Sequence, residues 1–287
     1  MNWRKSVLLK KTVRYSHDAL RYPCAFFLSE KDYSRHPPII ANSFPKSGTH
    51  LLIQILQAMP GIRDWGLFLA STPSFTFREI PDGKMCRRIN KLVPNELVSA
   101  HLYYSEQAEK ALGRENAVHY FIYRDPRDIV ISEAHYLTYM NKWHRLHRYF
   151  RALPDMKSRI MFSIQGATDP AFPYDYPNIS KRFLRYKPWI NHPNVLSIKF
   201  EKLVKQNPVE TVRKIIGFYM DRANQGIEQE ELIKNALTNI NPQNSHTFRK
   251  GRAGGWKEVF TDKHKEVFKE CAGRLLVELG YETDLGW

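Results

Sequence analysis

Lys46, Ser47, Gly48 and Thr49 stand in the run Ser43-Phe44-Pro45-Lys46-Ser47-Gly48-Thr49-His50, which follows a short apolar stretch and precedes a helical pattern. Residues of these types at a strand-to-helix junction suit an anion. They offer backbone N–H groups at a helix N-terminus, a glycine that allows close approach, a lysine as point charge and two hydroxyls. The order differs from the GxxxxGK[ST] loop of nucleotide hydrolases, because Lys46 precedes Gly48 and no earlier glycine stands at the required distance. The same residues also fit an ordinary turn, with Gly48 serving geometry and Ser47 or Thr49 capping the helix.

The elements that must position this loop follow from hydrophobic periodicity. Short apolar runs at Ile39 to Phe44, Leu97 to Ala100, Val118 to Tyr123 and Val195 to Phe200 read as buried strands. Helical patterns lie at Thr49 to Ala58, Arg127 to Met140, Pro208 to Met220, Glu228 to Leu237 and His264 to Leu279. Strand and helix in alternation predict an α/β fold with a central parallel sheet flanked by helices. Ligands of such sheets bind at the carboxyl ends of the strands, which directs attention to the residues after Phe44, Ala100 and Tyr123. No repeat, linker or low-complexity tract divides the chain, so one domain over residues 1–287 is expected.

Composition narrows the function classes. Lys and Arg outnumber Asp and Glu by 44 to 29, a formal charge of +15, which favours anionic ligands: nucleic acid, an anionic membrane or a phosphorylated cofactor. The basic stretches Arg4 to Arg14, Lys142 to Arg159 and Arg249 to Lys257 also fit plain solvated surface. Three cysteines, Cys24, Cys86 and Cys271, form no disulfide framework. No apolar run approaches the ~20 residues of a membrane helix, and no secretory leader is visible. A cytoplasmic protein without a membrane partner is expected.

The loop Pro45-Lys46-Ser47-Gly48-Thr49-His50-Leu51 resembles the PKSGTTW phosphosulfate loop of the sulfotransferases that use 3′-phosphoadenosine 5′-phosphosulfate (PAPS). The resemblance implies a P-loop-type phosphate-binding loop in which Lys46 contacts the 5′-phosphate and bridging oxygen, while Ser47, Gly48, Thr49 and His50 cradle the group. Leu51 replaces a tryptophan that stacks on adenine in many relatives. A second family motif, YxxRxxxDxxxS, is matched from Phe121 to Ser132 and assigns Arg124 and Ser132 to the 3′-phosphate. An arginine leaving a strand and a hydroxyl about two helical turns later can converge on one phosphate; alone, Arg124 reads equally as a surface ion pair with Asp125 or Asp128. Arg249-Lys250-Gly251-Arg252-Ala253-Gly254-Gly255-Trp256-Lys257 resembles the family's RKGxxGxWK, so Arg249, Lys250 and Gly251 would close over that phosphate. Phe200 stands where relatives carry a tyrosine near the nucleotide, and it fits the core as well. The motif-bearing region runs from about 38 to 263.

His101 in Val98-Ser99-Ala100-His101-Leu102 matches the histidine that serves as base in the family. A neutral hydroxyl or amine needs its proton removed, and imidazole titrates near working pH. The resemblance thus implies transfer of a sulfuryl group from PAPS to a small acceptor by in-line displacement. His101 would take the proton, Lys46 would steady the leaving oxygen, PAP (adenosine 3′,5′-bisphosphate) would be the product, and no metal is required. Aromatic segments at Trp65 to Phe77, His135 to Trp143 and Phe172 to Trp189 are expected to line the acceptor site, with Trp65, Phe68, Tyr136 and Tyr139 also fitting the core. The departures from the animal pattern suggest a bacterial enzyme of secondary metabolism, and overall likeness suggests an alkaloid of the saxitoxin kind as acceptor. The family's dimer motif, KxxxTVxxxE, is matched from Lys257 to Glu266 with Asp262 in place of its central valine, which leaves a homodimer undecided.

Two other classes compete. A nucleoside or nucleotide kinase would share the sheet and the phosphate loop and would require ATP and magnesium. A basic nucleic-acid-binding protein would explain the charge but has no use for three separated phosphate motifs, so no nucleic acid is expected.

Overall fold

The strands Ile39–Ser43 (β1), Phe68–Ala70 (β2), Leu97–His101 (β3), Val118–Tyr123 (β4) and Val195–Lys199 (β5) form one five-stranded sheet in the order β2-β3-β1-β4-β5. Every pairing is parallel, with Ile39 opposite Leu97 and Val118, and Ala70 opposite His101. The computed structural model describes residues 30–223, 228–241 and 253–287. Arg249, Lys250 and Gly251, expected at the 3′-phosphate, and Cys24 lie outside them.

The strand period places successive side chains on opposite faces. Ile39, Ala41, Tyr120 and Ile122 enter one core with the helices Thr49–Leu56 (α1), Pro208–Met220 (α7) and Gln229–Asn239 (α8). Ile40, Val98, Phe121 and Tyr123 enter the other. That second core is covered by Asp82–Ile89 (α2), Glu106–Arg114 (α3), Pro126–His135 (α4), Met156–Gln165 (α5), Ile179–Leu184 (α6) and Asp262–Glu278 (α9). This is the expected α/β architecture with both faces covered. Among the described residues no helix is long and apolar enough to cross a membrane.

Several boundaries differ from expectation, and Ile39 to Phe44 already stops as a strand at Ser43. Val195 to Phe200 stops as a strand at Lys199, and Leu97 to Ala100 extends to His101. The pattern over Arg127 to Met140 divides into α4 and a π-helical turn, Tyr136–Met140. The edge strand β2 lies inside the aromatic stretch assigned to acceptor contacts. From β1 the chain reaches β2 and β3 on one side and then β4 and β5 on the other, so a switch point opens beyond the carboxyl end of β1.

Candidate functional site

Immediately beyond β1 the backbone turns into the left-handed region at Lys46 (φ 71°) and again at Gly48 (φ 100°). Gly48 caps α1, and its carbonyl accepts from Leu51 and Leu52 N–H at 3.0 and 3.2 Å. A Cβ at Gly48 would lie 2.6 Å from Phe200 Cδ2, so both φ and packing require glycine here. Ser43 Oγ meets Thr49 Oγ1 at 2.6 Å. Ser47 Oγ is buried with no hydrogen-bond partner among the described residues. Lys46 Nζ stands 3.8 Å from the centroid of the Tyr136 ring, and that ring is held by Asn141 Nδ2, which donates to Tyr136 Oη at 2.9 Å.

Arg124 leaves β4 and donates through Nη2 to Asp128 Oδ2 at 3.1 Å, with its guanidinium 4.7 Å from the Phe200 centroid. The ion pair foreseen as a surface contact is therefore real but buried. Asp128 also accepts the backbone N–H of Gly254 at 2.8 Å and of Trp256 at 2.9 Å. One carboxylate thus joins the second motif to the end of the third. Below it, Arg127 lies between the indoles of Trp256 (3.8 Å) and Trp287 (4.5 Å), bonded to both oxygens of Asp125 and to Glu282. That buried cluster anchors the C-terminal residues beneath the site.

His101 ends β3 with Nδ1 3.1 Å from the Ser43 carbonyl and 3.0 Å from Ser43 Oγ. Donation to the carbonyl places the proton on Nδ1 and leaves the Nε2 lone pair as the basic site. Burial lowers the imidazole pKa to about 4, opposed by the Ser43 hydrogen bond and reinforced by the Lys46 charge. The ring is thus neutral at neutral pH and able to accept a proton. Its strand end is set by Asn42, which accepts Leu102 N–H at 2.8 Å and donates to Leu102 O at 3.1 Å. Trp189 Nε1 donates to the same oxygen at 3.0 Å.

A single cavity of about 1110 Å³ brings these groups together. Lys46, Gly48, Thr49, His50, Arg124, Ser132, His101 and Phe200 all line it, and of the expected site residues only Ser47 within the described set does not. Of the acceptor candidates, Phe68 and Tyr136 line the cavity, whereas Trp65 and Tyr139 do not. Trp189 is core. Asp262, the departure in the dimer motif, opens α9 behind the Thr261 cap.

The sequence singled out neither Glu133 nor His144 and took in Arg182 only within the stretch Phe172 to Trp189; all three line the cavity. Glu133 accepts from Tyr176 Oη at 2.9 Å and Arg182 Nη1 at 2.7 Å. Burial pushes its carboxyl pKa up, but Arg182 outweighs this and holds it below the ordinary value. Burial takes His144 down to about 4. The spacing gave no signal for Glu133, whose neighbours three and four residues back on α4 are Val130 and Ile129.

Comparison with known proteins gives one answer. Human Sulfotransferase 6B1 is 22% identical, over 94% of this chain and 90% of that protein. Flavonol 3-sulfotransferase of Flaveria bidentis is 24% identical, over 82% and 81%. The fold matches mouse sulfotransferase SULT7A1, solved with PAP, at a TM-score of 0.56 and 22% identity, covering 84% of this chain and 88% of that one. It also matches retinol dehydratase, solved with retinol and PAP, at 0.54 and 14% identity, covering 84% and 82%. The model of the sulfotransferase domain matches residues 36–280, most of the chain, and the protein therefore belongs to the sulfotransferase domain family.

Proposed function

We propose that the protein transfers a sulfuryl group from PAPS to a hydroxyl or amine of a small acceptor. The observation that carries this reading is the shared cavity: the Lys46 loop, Arg124 with Ser132, and His101 open into one space. The polar groups fit a doubly phosphorylated nucleotide. Ser47 Oγ is buried without a partner in the loop, Gly48 keeps the cradle clear of a Cβ, and Lys46 and Arg124 offer positive charge along one groove. PAP in the mouse SULT7A1 and retinol dehydratase structures supports the same nucleotide here.

When bound, the nucleotide supplies a sulfuryl group on a good leaving phosphate. Lys46 stands where it can bind the 5′-phosphate and oppose negative charge growing on the bridging oxygen. Arg124 and Ser132 bind and orient the 3′-phosphate end, and Phe200 packs between that end and the loop. His101 accepts the acceptor's proton at Nε2 as the acceptor attacks sulfur in line. Phe68, Phe77, Tyr103 and Tyr136 exclude water and hold the acceptor against the imidazole. Arg249, Lys250 and Gly251 complete the 3′-phosphate site in this proposal on the motif alone. A secondary metabolite, such as a saxitoxin-type alkaloid, is the acceptor suggested by overall likeness.

Isothermal titration with PAP and with ATP tests the reading. Preference for PAP, lost in Arg124→Ala, supports it, while tighter ATP binding would turn it into the kinase alternative. His101→Ala should abolish turnover with PAP affinity retained.

A further inference from the structure

Two loops at the acceptor side carry apolar side chains that nothing among the described residues covers. Trp143 is 67% exposed, Tyr139 60%, Phe75 57% and Met140 41%. Exposed large apolar residues elsewhere in the described chain are aliphatic and scattered (Leu184, Val209, Val259, Val277 and Leu285). The four form one rim because the loops are bonded together: Arg145 N–H donates to Ser74 O at 3.0 Å, and Arg145 Nε donates to Phe75 O at 2.7 Å. The rim borders the cavity, since Ser74 and His144 line it and are chain neighbours of Phe75 and Trp143.

Cations stand among these rings. Arg145 lies 5.2 Å from the Phe75 centroid, Arg159 Nη1 donates to Tyr139 Oη at 3.3 Å, and Lys142 adjoins Trp143. None of the three makes an ion pair among the described residues. Tryptophan and tyrosine prefer the boundary between water and hydrocarbon, where the ring is apolar and its polar edge stays wet. Lysine and arginine beside them are attracted by anionic headgroups, each by an amount that fades within a Debye length.

We propose that the rim of Phe75, Tyr139, Met140 and Trp143, flanked by Lys142, Arg145 and Arg159, docks on an anionic phospholipid surface with the cavity mouth facing the lipid. The expectation of no membrane partner rested on the lack of a spanning segment, and an interfacial seat needs none. An amphiphilic acceptor dissolved in the lipid would then enter the cavity without crossing bulk water; that consequence, unlike the docking, rests on the transfer reading.

The test is flotation of the whole chain with vesicles of phosphatidylcholine, with and without phosphatidylserine. Binding is expected to the mixed vesicles only, to weaken with salt, and to fall roughly tenfold in the double variant Phe75→Ser, Trp143→Ser. The double variant should keep the far-UV circular dichroism and the urea midpoint of the unaltered chain, which shows that it is folded. No binding to mixed vesicles overturns the proposal. Equal binding by the double variant also overturns it, since the attraction would then lie in basic charge elsewhere, such as Arg4 to Arg14. A dimer that the double variant converts to monomer would make the rim a contact between copies and likewise end the proposal. Vesicle binding needs no nucleotide, so a failed PAP titration removes the transfer reading and leaves this one standing.

Discussion

Asp128 Oδ1 accepts the backbone N–H of Trp256 at 2.9 Å, across 128 residues of chain. Its other oxygen holds both Gly254 N–H and Arg124, so a buried charge ties the arginine of one motif to the backbone of another. Asp128→Ala should destabilise the fold by about 3 kcal/mol, the usual cost of removing one partner of a buried pair. PAP binding should weaken with it. Asp128→Asn keeps one acceptor oxygen and should lose less of both, as read by urea unfolding and titration.

The Tyr136 ring and a bound phosphate compete for the Lys46 ammonium. Tyr136→Leu is expected to tighten PAP binding a few-fold, about 0.5–1 kcal/mol for a lost cation–π contact. Tyr136→Phe keeps the ring but loses the hydroxyl that accepts from Asn141, so it should fall between the parent and the leucine variant. In a Lys46→Met background Leu should have no effect, and a double-mutant cycle by titration calorimetry checks the coupling.

Gly48→Ala meets two penalties, a positive φ and a Cβ 2.6 Å from Phe200 Cδ2. The first alone costs about 1–2 kcal/mol. Adding Phe200→Leu should recover only the packing part, and PAP affinity should remain at least roughly tenfold weaker than in the unaltered chain. Thermal unfolding and titration of the single and double variants separate the two terms.

Asn42 braces Leu102, and through it the strand end that carries His101. Asn42→Ala takes their side-chain acceptor from the buried N–H groups of Leu102 and Ser43, while Trp189 still serves the Leu102 carbonyl, at a cost of about 1–3 kcal/mol. Turnover should fall more than PAP affinity, because Asn42 holds Leu102 beside His101 directly and reaches the Lys46 loop only through the Ser43 N–H. A parallel fall in PAP affinity would instead show general loosening of the site.

Burial lowers His101 and His144 to about 4 and, with a smaller push from His192, His119 to about 3. The unfolded chain therefore binds more protons than the folded one between these values and about 6.5. Stability should be highest above that window and should fall as pH drops through it, by up to about 1.4 kcal/mol per unit for each histidine. His119→Phe lies outside the proposed machinery and should flatten the slope by one proton, as measured by urea unfolding at a series of pH values.

Local chemistry was legible in the residues. Pro45 to His50 has the composition of an anion loop wherever it folds, and the helix over Pro208 to Met220 is marked by its own period and its opening proline. The edge strand Phe68–Ala70 was not legible, because three residues carry no periodicity and only pairing with Ser99 to His101 makes them a strand. The division of Arg127 to Met140 at Tyr136 was hidden for a related reason, as a π-helical turn keeps the apolar content of an α-helix while re-aiming its side chains.

The sequence by itself determined the candidate reacting groups, the alternating α/β order and the family resemblance, all properties of neighbouring residues. Tertiary structure decided which groups share a space. Asp128 with Trp256, Lys46 with Tyr136 and Glu133 with Arg182 meet only because the parallel sheet sends each strand's carboxyl end to the same edge. No local period encodes contacts between such distant residues, and burial, the main cause of the lowered imidazole pKa at His101, exists only once the chain has packed.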